Sequence, residues 1–306
     1  MSKHQWYEDL QEKMPQGTLL IDEPLGKYTM TKLGGAADLL VIPGTIDESE
    51  IAVRYAYENE IPLLLLGNGS NMVVRDGGVR GIVLHLSELS DIRIEGSFVH
   101  AEAGALIIDV SKRAAAATLS GIEFACGIPG SIGGAMAMNA GAYGGEIKDI
   151  IVQATVLTKA GERLVLSKDE LELGYRRSII SKNGYFVLSA LFQLAPGDRD
   201  VIDAKVADLT HQRESKQPLE YPSAGSVFKR PPGYFAGKLI QDCGMQGKGH
   251  GGAEVSLKHA GFIINKDNAT ASDYIQTIEM VQAEVKKKFD IELELEVKIV
   301  GEETAE

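Results

Sequence analysis

The chain has 306 residues, of which 44% are hydrophobic and 24% are charged, and its formal net charge is −12. This length exceeds what one hydrophobic core usually serves, so we expect two or three domains. No apolar stretch approaches the roughly 20 residues that a membrane helix needs, so we expect no membrane insertion, and the acidic balance argues against a general affinity for nucleic acid or anionic membranes. The opening segment lacks the continuous apolar run of a secretion signal, which makes the cytoplasm the expected compartment, and no obligate protein partner is evident.

Apolar periodicity predicts that helices and strands alternate at the start of the chain. A helix over MSKHQWYEDLQEKM is followed by a short strand, TLLID. DLLVIP, DESEIAVRYAYENE and IPLLLLG are then a predicted strand, helix and strand. After the loop GNGSN, MVV and VRGIVLHL are predicted strands, and DIRIEGSFVHAEAG is a predicted hairpin with its turn at EGS.

Strands outnumber helices in the middle of the chain. An alanine-rich helix is predicted from about Leu106 to Thr118, and a glycine-dense stretch follows it. DIIVQATVLT, ERLVLS and YFVLSALFQL are predicted strands, interrupted by SKDE, which has the spacing of a capping box. Beyond a boundary at APGDRD, a polar helix from about Val201 to Ser215 leads into a last unit of two helices and two strands that ends in IELELEVKIV. The pattern predicts an α+β fold.

A first glycine loop, LLLLGNGSN, follows directly on an apolar strand. Backbone N–H groups in such a loop are free of sheet pairing and can converge on an anion, which suits a diphosphate. On this motif alone an ordinary turn is an equal alternative, because short glycine turns are common. The loop residues are Gly67, Asn68, Gly69, Ser70 and Asn71.

A second segment, CGIPGSIGGAMAMNAGAYGG, carries seven glycines, so its backbone is open to close approach by a ligand. A helix beginning near Ser131 would direct its N-terminal amides at a second negative group, and a flat ring could lie against the backbone. Tight packing between domains is the alternative. By contrast, GKGHGG matches the fingerprint G-x-G-x-x-G but follows a helix-like segment rather than a strand, so we predict a loop there.

These motifs occur together with others in a characteristic order: TKLGGAADLLVIP, LLGNGSNMVV, GIPGSIGGAMAMNAGAYGG, GYRRSII, SAGSVFK, AGKLIQDCGMQG and LELEVKIVG. The combination resembles the MurB family of UDP-N-acetylenolpyruvoylglucosamine reductases almost from end to end. The resemblance implies an FAD-binding fold of the vanillyl-alcohol-oxidase/PCMH type in two subdomains, with a smaller C-terminal α+β substrate-binding domain. The implied segments are 1–90 and 91–198 for the two FAD-binding subdomains and 199–306 for the substrate-binding domain.

The resemblance also implies the reaction of the family. FAD is bound without a covalent bond, and NADPH is the hydride donor for reduction of the enolpyruvyl ether of UDP-N-acetylglucosamine to UDP-N-acetylmuramate in peptidoglycan precursor synthesis. The product belongs to cell-wall biogenesis, on which cell shape and cell division depend. An FAD-dependent oxidase of the same fold, or a non-catalytic protein that binds nucleotide sugars, are the alternatives.

Several site residues follow from the resemblance. It implies that Gly67 to Asn71 bind the FAD diphosphate, and that Arg176, Ser226 and Glu296 are catalytic. Tyr175 and Lys229 are implied substrate contacts. The chain differs from one branch of the family in having Arg230 where that branch has asparagine and in lacking a tyrosine-bearing insertion, so it resembles the shorter type. The loop implied to lie along the flavin contains Gly127, Pro129, Gly130, Ser131, Gly133 and Gly134.

The chemistry agrees with these residue types but does not select among neighbours. Negative charge on the substrate carboxylate calls for a guanidinium, and Arg177 is an equal candidate to Arg176. Protonation of an enolate carbon by serine depends on position more than on acidity, and Ser223 competes with Ser226.

Two further features bear on this chemistry. Lys229 could lower the effective pKa of the serine hydroxyl or bind a substrate phosphate, and Glu294 shares a strand face with Glu296. The six histidines, which include His85 and His100, lack the spacing of metal ligands, so we predict no metal.

Overall fold

The computed structural model describes residues 1–304, which divide into two units, each with its own hydrophobic core. The first unit comprises residues 1–22, 38–68 and 81–212, and the second comprises 23–37, 69–80 and, among the described residues, 213–304. Both units are therefore built from segments that are distant in sequence.

The described residues contain helices α1 (Lys3–Lys13), α2 (Ile46–Glu58), α3 (Ile107–Ala116), α4 (Ile132–Ala137), α5 (Ile147–Ile150), α6 (Ile179–Asn183), α7 (Arg199–Lys216), α8 (Ala236–Asp242) and α9 (Ala271–Phe289). The strands are β1 (Thr18–Pro24), β2 (Ala36–Ile42), β3 (Leu63–Leu66), β4 (Met72–Val74), β5 (Val79–His85), β6 (Ile92–Glu95), β7 (Phe98–Glu102), β8 (Leu119–Ser120), β9 (Gly141–Ala142), β10 (Gly145–Glu146), β11 (Ile151–Leu157), β12 (Arg163–Ser167), β13 (Phe186–Gln193), β14 (Ala195–Pro196), β15 (Ser223–Ser226), β16 (Gly249–His250), β17 (Ala253–Val255), β18 (Phe262–Asn265) and β19 (Lys298–Val300).

The first unit contains two larger sheets. One has the order β1-β2-β5-β3, in which β3 and β5 run parallel, and the other is antiparallel with the order β12-β11-β13-β7-β6. Strand β13 lies in the middle of the second sheet and is buried at six of its eight residues, which explains its nearly continuous apolar sequence FVLSALF. A strand covered on both faces has no solvent side on which polar residues would alternate.

The second unit is built on an antiparallel sheet of order β15-β18-β17-β16 and a parallel pair, β19 with β4. Helix α9 supplies Tyr274, Ile278, Val281 and Val285 to the core at helical spacing. A capping box at Thr270 fixes the start of this helix, because the Thr270 and Asp273 side chains satisfy each other's backbone N–H groups.

The predicted elements are confirmed through most of the first unit. The opening helix, the strands on either side of α2, the hairpin of β6 and β7, and the strands β11, β12 and β13 all lie where periodicity predicts them. Helix α3 is slightly shorter than predicted, because Leu106 is its N-terminal flanking residue and Thr118 has a left-handed φ of 55°. The polar helix over Val201–Ser215 is α7.

SKDE forms one half of a capping box, since Glu170 accepts hydrogen bonds from the backbone N–H and the hydroxyl of Ser167, and turns follow it. Two predictions are wrong. The C-terminal unit has a four-stranded sheet instead of two strands, because its strands are only two to four residues long and leave little periodicity. GKGHGG contributes β16 of a short hairpin in addition to a loop, although a helix, α8, does precede it.

The closing segment IELELEVKIV also differs from its prediction as one long strand. Only Lys298–Val300 forms a strand, and Leu295 makes an isolated bridge to Phe228. The alternation of burial is nonetheless present, since Leu293 and Val297 are buried while Glu292 and Glu294 are exposed. Between residues 1 and 304, no helix combines the length and the apolarity needed to cross a membrane.

Candidate active site

Two glycine-rich loops meet in the first unit. The Asn68 Nδ2 donates a hydrogen bond of 2.7 Å to the Pro129 carbonyl oxygen. A Cβ added at Gly67 would lie 2.9 Å from the Ser131 Oγ, closer than side-chain atoms normally approach. The sequence predicts both loops as ligand-binding segments, and the structure brings Gly67 and Asn68 against Pro129 and Ser131.

The second loop is anchored by its own backbone. The Ile107 N–H donates to the Gly130 carbonyl, and the N–H groups of Ile132 and Gly133 donate to Ala105 and Ala103. Helix α4 begins at Ile132 with Ser131 as its N-cap, which confirms the predicted helix start. The side chain of Ser131 accepts from the Gly134 N–H. The first three amides of α4, which the sequence predicts to face an anion, therefore donate within the protein instead, and Gly130 and Gly133 are buried.

His85 supports the first loop, a role for which sequence reasoning had no signal. Its Nδ1 lies 2.9 Å from the carbonyl oxygen of Leu66, the last residue of β3. Since a carbonyl can only accept, Nδ1 carries the proton. Burial lowers the pKa of His85 below its usual value, which favours the neutral ring. The pairing of β5 with β3 places the histidine there, so only strand register reveals it.

Gly69 lies in the second unit and has a left-handed φ of 60°. A Cβ at this position would overlap the Tyr28 carbonyl oxygen and lie 2.6 Å from the Thr29 Cα. The Met30 N–H donates to the Gly69 carbonyl oxygen at 3.2 Å, so the loop and the segment 28–30 are packed backbone to backbone. Glycine is required here for both conformation and space.

Replacing Gly69 by alanine is expected to destabilise the protein strongly. A left-handed alanine costs about 1–2 kcal/mol, and overlap with the Tyr28 backbone adds about 1–3 kcal/mol. Chemical denaturation should measure this loss as a lower free energy of unfolding. Gly96→Ala is the matched control, because Gly96 also has a φ of 60° but has nothing within 4 Å of its added Cβ. Equal destabilisation of the two variants would contradict the overlap.

Ser226 ends β15 in the second unit and is exposed. The preceding Gly225 has a φ of 73°, and Ser226 pairs with Phe262 of β18. The next residue, Val227, donates to the Gly261 carbonyl oxygen at 3.0 Å. The hydroxyl therefore stands at the end of a strand whose backbone is held on both sides.

Glu296 is brought to the Ser226 segment by backbone pairing. Its N–H donates to the Val227 carbonyl oxygen at 2.8 Å. Its own carbonyl oxygen accepts from the Asn71 Nδ2 at 3.0 Å, and the Asn71 carbonyl accepts from the Lys298 N–H. Two residues separated by 70 positions in sequence, Ser226 and Glu296, thus share one local framework with the end of the first glycine loop.

Lys229 belongs to the same framework. Its N–H donates to the Glu294 carbonyl oxygen at 2.9 Å, and its Nζ lies 3.2 Å from the Glu294 Oε2. Glu294, the alternative to Glu296 from sequence, is therefore the ion-pair partner of Lys229. Both side chains are substantially exposed, so the pair contributes little to stability and remains open to exchange with another anion.

Arg176 lies in the first unit, at the corner of a tight turn. Gly174 and Arg177 exchange two backbone hydrogen bonds of 3.1 Å, which leaves Tyr175 and Arg176 between them. Arg176 has a left-handed φ of 54°, and its guanidinium carbon lies 5.3 Å from the centre of the Tyr175 ring. The turn therefore projects a cation and an aromatic ring together.

Arg177 points to different surroundings. It lines a cavity of about 850 Å³ in the first unit, whereas Arg176 is not part of that lining. The two neighbouring arginines, which are equal candidates from the sequence, thus differ in their surroundings: Arg177 borders the cavity, whereas the Arg176 guanidinium lies over the Tyr175 ring. The cavity is lined by Lys148, Asp149, Lys168, Asp169, Glu172, Leu173, Arg177, Ser178 and Lys182.

Comparison with known proteins identifies the family. Residues 37–167 match the family described as FAD binding domain, and residues 217–300 match the C-terminal domain of UDP-N-acetylenolpyruvoylglucosamine reductase. A UDP-N-acetylenolpyruvoylglucosamine reductase of Exiguobacterium sibiricum is 59% identical over 99% of this chain and 100% of that protein. The chain belongs to the UDP-N-acetylenolpyruvoylglucosamine reductase family.

Other members of the reductase family give the same result. The reductase of Geobacillus thermodenitrificans is 59% identical over 97% of this chain and 98% of its own length. The crystal structure of the reductase from Thermus caldophilus superimposes with a TM-score of 0.80 at 33% identity and covers 93% of this chain and 99% of that one. The predicted family and the predicted fold class are confirmed, and the chain is an FAD-dependent oxidoreductase.

Proposed function

We propose that this chain reduces the enolpyruvyl ether of UDP-N-acetylglucosamine to UDP-N-acetylmuramate, with Arg176, Ser226 and Glu296 as catalytic residues. Family membership supports the reaction, which uses FAD and takes hydride from NADPH for peptidoglycan precursor synthesis. The observation that carries the residue assignment is the backbone pairing of the Ser226 segment with Glu296. This pairing gives an exposed hydroxyl and a carboxylate a common support.

The two glycine loops fit a bound FAD. Gly67 and Gly69 carry no side chain, so backbone N–H groups of this loop would be open to close approach by a diphosphate. Asn68 joins this loop to Pro129 of the second, along which the flavin would lie. We assign Gly67, Asn68, Gly69, Ser70 and Asn71 to the diphosphate, and Gly127, Pro129, Gly130, Ser131, Gly133 and Gly134 to the flavin. When bound, FAD supplies the transfer of hydride from NADPH to the substrate.

Arg176 would stabilise the charge that develops on the substrate. Hydride addition to the far carbon of the enolpyruvyl double bond places negative charge on the near carbon and on the carboxylate oxygens. A guanidinium binds a carboxylate through two parallel hydrogen bonds and stays ionised throughout, so it favours the enolate over the ground state. Tyr175, on the same turn, would contact the substrate.

Ser226 would deliver the proton that completes the reduction. The near carbon of the enolate takes a proton from the hydroxyl, a carbon–hydrogen bond forms, and the serine oxygen is left to regain a proton from solvent or a neighbour. The exposure of Ser226 and the fixed backbone on both sides of it support this role. Glu296, held beside the same segment, would orient the enol, and Lys229 would bind a substrate phosphate in exchange for Glu294.

The proposal assigns the cofactor and the substrate to different domains. We assign FAD binding to the subdomains 1–90 and 91–198 and substrate binding to residues 199–306, supported by the family matches over 37–167 and 217–300. We also infer that the protein acts in the cytoplasm, with UDP-N-acetylglucosamine enolpyruvate and NADPH as its partners. Loss of the activity would then impair cell shape and cell division through the cell wall.

The absorbance spectrum of the purified protein tests the proposal. The protein as isolated, or after reconstitution with FAD, should show the flavin spectrum. NADPH should bleach it, and the enolpyruvyl nucleotide sugar should restore it without oxygen. A flavin that only molecular oxygen restores would indicate an oxidase, and a protein that binds the nucleotide sugar but no FAD would indicate a binding protein.

A further inference from the structure

Asn139 occupies a buried position between α4 and β9. It is 1% exposed and has a left-handed φ of 46°, which asparagine adopts more readily than most residues. The backbone conformation alone would explain an asparagine or a glycine here. The side chain, however, also makes hydrogen bonds to residues that lie 7, 9 and 35 positions further along the chain.

The Asn139 amide makes three hydrogen bonds. Its Nδ2 donates to the Glu146 Oε2 at 2.8 Å and to the Gly174 carbonyl oxygen at 3.2 Å, while its Oδ1 accepts from the Lys148 N–H at 2.9 Å. Both acceptors face the amino group and the donor faces the oxygen, so only one orientation of the amide satisfies all three. Aspartate or leucine could not replace this pattern.

The Gly174 carbonyl oxygen accepts two hydrogen bonds. One comes from the Arg177 N–H and closes the turn that carries Arg176, and the other comes from the Asn139 side chain. A left-handed arginine is strained, and such a conformation persists only where its surroundings hold it. On the far side of the turn, the hydroxyls of Ser178 and Ser181 both donate to the Ala137 carbonyl oxygen at 2.6 Å. The turn is thus tied to segment 137–139 before and after Arg176.

Glu146 is the second acceptor of the Asn139 amide. A hydrogen bond from Lys148 is the main cause that lowers the pKa of the Glu146 carboxyl, and the amide of Asn139 and the charge of Arg176 lower it further. The carboxylate is therefore ionised and lies within electrostatic reach of the guanidinium. Asn139 holds this carboxylate as well as the turn.

We propose that Asn139 is a positioning residue for Arg176, acting through the Gly174 carbonyl and the Glu146 carboxylate. This inference rests on the proposed role of Arg176 in the reaction. Ala137 is the last residue of α4, the helix that begins at the second glycine loop, and Asn139 lies two residues beyond it. Asn139 therefore connects the cofactor loop to the turn that carries the cation.

The test is Asn139→Gly, which keeps the left-handed backbone and removes only the side chain. Flavin reduction by NADPH and the dissociation constant for FAD are expected to stay within about two-fold of wild type, because neither needs the orientation of Arg176. Reoxidation of the reduced flavin by the enolpyruvyl substrate, followed by stopped-flow absorbance, is expected to slow by about ten-fold or more, since small misplacement of a catalytic group is costly.

Two further variants separate positioning from a general loss of structure. Asn268 also has a left-handed φ, of 48°, and its Nδ2 donates to the Asp267 side chain, so Asn268→Gly is the matched control and should leave both half-reactions unchanged. Asn139→Gly added to Arg176→Lys should slow substrate reoxidation by less than about two-fold beyond Arg176→Lys alone, because residues that act through one group are not additive. Asn139→Asp keeps the acceptor for Lys148 and loses the donor to Gly174, and it serves if the glycine variant does not fold.

Each outcome decides one question. Slow substrate reoxidation in Asn139→Gly, with no further loss in the double variant, supports the inference. The inference is wrong if Asn139→Gly is reoxidised at the wild-type rate. It is also wrong if the fold-losses of Asn139→Gly and Arg176→Lys multiply in the double variant, and neither result changes the role of Arg176. Wild-type reoxidation in Arg176→Lys overturns the proposed role of Arg176 itself.

Discussion

Ser226→Ala is expected to slow reoxidation of the reduced flavin by the enolpyruvyl substrate by about 10²–10⁴-fold, the range that general acid catalysis contributes. The enolate then has no proton donor at its near carbon, and the addition of hydride becomes unproductive. Bleaching of the flavin by NADPH should continue at the wild-type rate, because that step takes no proton from this serine. Stopped-flow absorbance of the bound flavin measures both half-reactions in one preparation.

Ser223→Ala is the matched control for this variant. Ser223 begins the same strand, β15, and pairs with Ile264 in the same sheet, so it reports any general effect of removing a hydroxyl there. The alanine at Ser226 should not disturb the backbone, since strand pairing and the Val227 N–H hold it. Normal reoxidation in Ser226→Ala would refute the assignment, and a loss confined to Ser223→Ala would transfer the role to Ser223.

Arg176→Lys is expected to lower the rate of substrate reduction by about 10–100-fold even though the positive charge is kept. Lysine is a point charge and cannot form the two parallel hydrogen bonds that a guanidinium makes with a carboxylate. The loss should be smaller than the roughly 10²–10³-fold that follows removal of a complete charge-stabilising donor. Steady-state kcat and KM for the nucleotide sugar, measured with saturating NADPH, give the size of the effect.

Arg177→Lys provides the comparison within the same motif. Arg177 lines the cavity of the first unit, and its backbone closes the turn whatever its side chain, so this variant should keep nearly the wild-type kcat. A normal rate in Arg176→Lys together with a slow Arg177→Lys would exchange the two assignments. A similar loss of kcat in both variants would mean that the rate depends on the conformation of the turn and not on one guanidinium.

Local sequence was sufficient for most of the fold and for the family. Helices such as α2 and α9 carry apolar residues at helical spacing and polar caps at their starts, and both signals lie within a few residues of each other. The glycine loops and the motif around Ser226 are likewise contiguous, which is why their order along the chain indicates a reductase. The short strands of the second unit were missed because two to four residues are too few to show alternation.

Tertiary structure alone decided how the site residues are supported. The bond from Asn68 to Pro129 spans 61 positions, and the bond from Asn71 to Glu296 spans 225. No local pattern records such pairings, because they depend on strand register and on loops that close only when the units fold. Asn139 could not be predicted for the same reason, because asparagine is a common residue type and the sequence around it gives no sign of its role. Its three hydrogen bonds form only when the folded chain brings Glu146, Lys148 and Gly174 to its side chain.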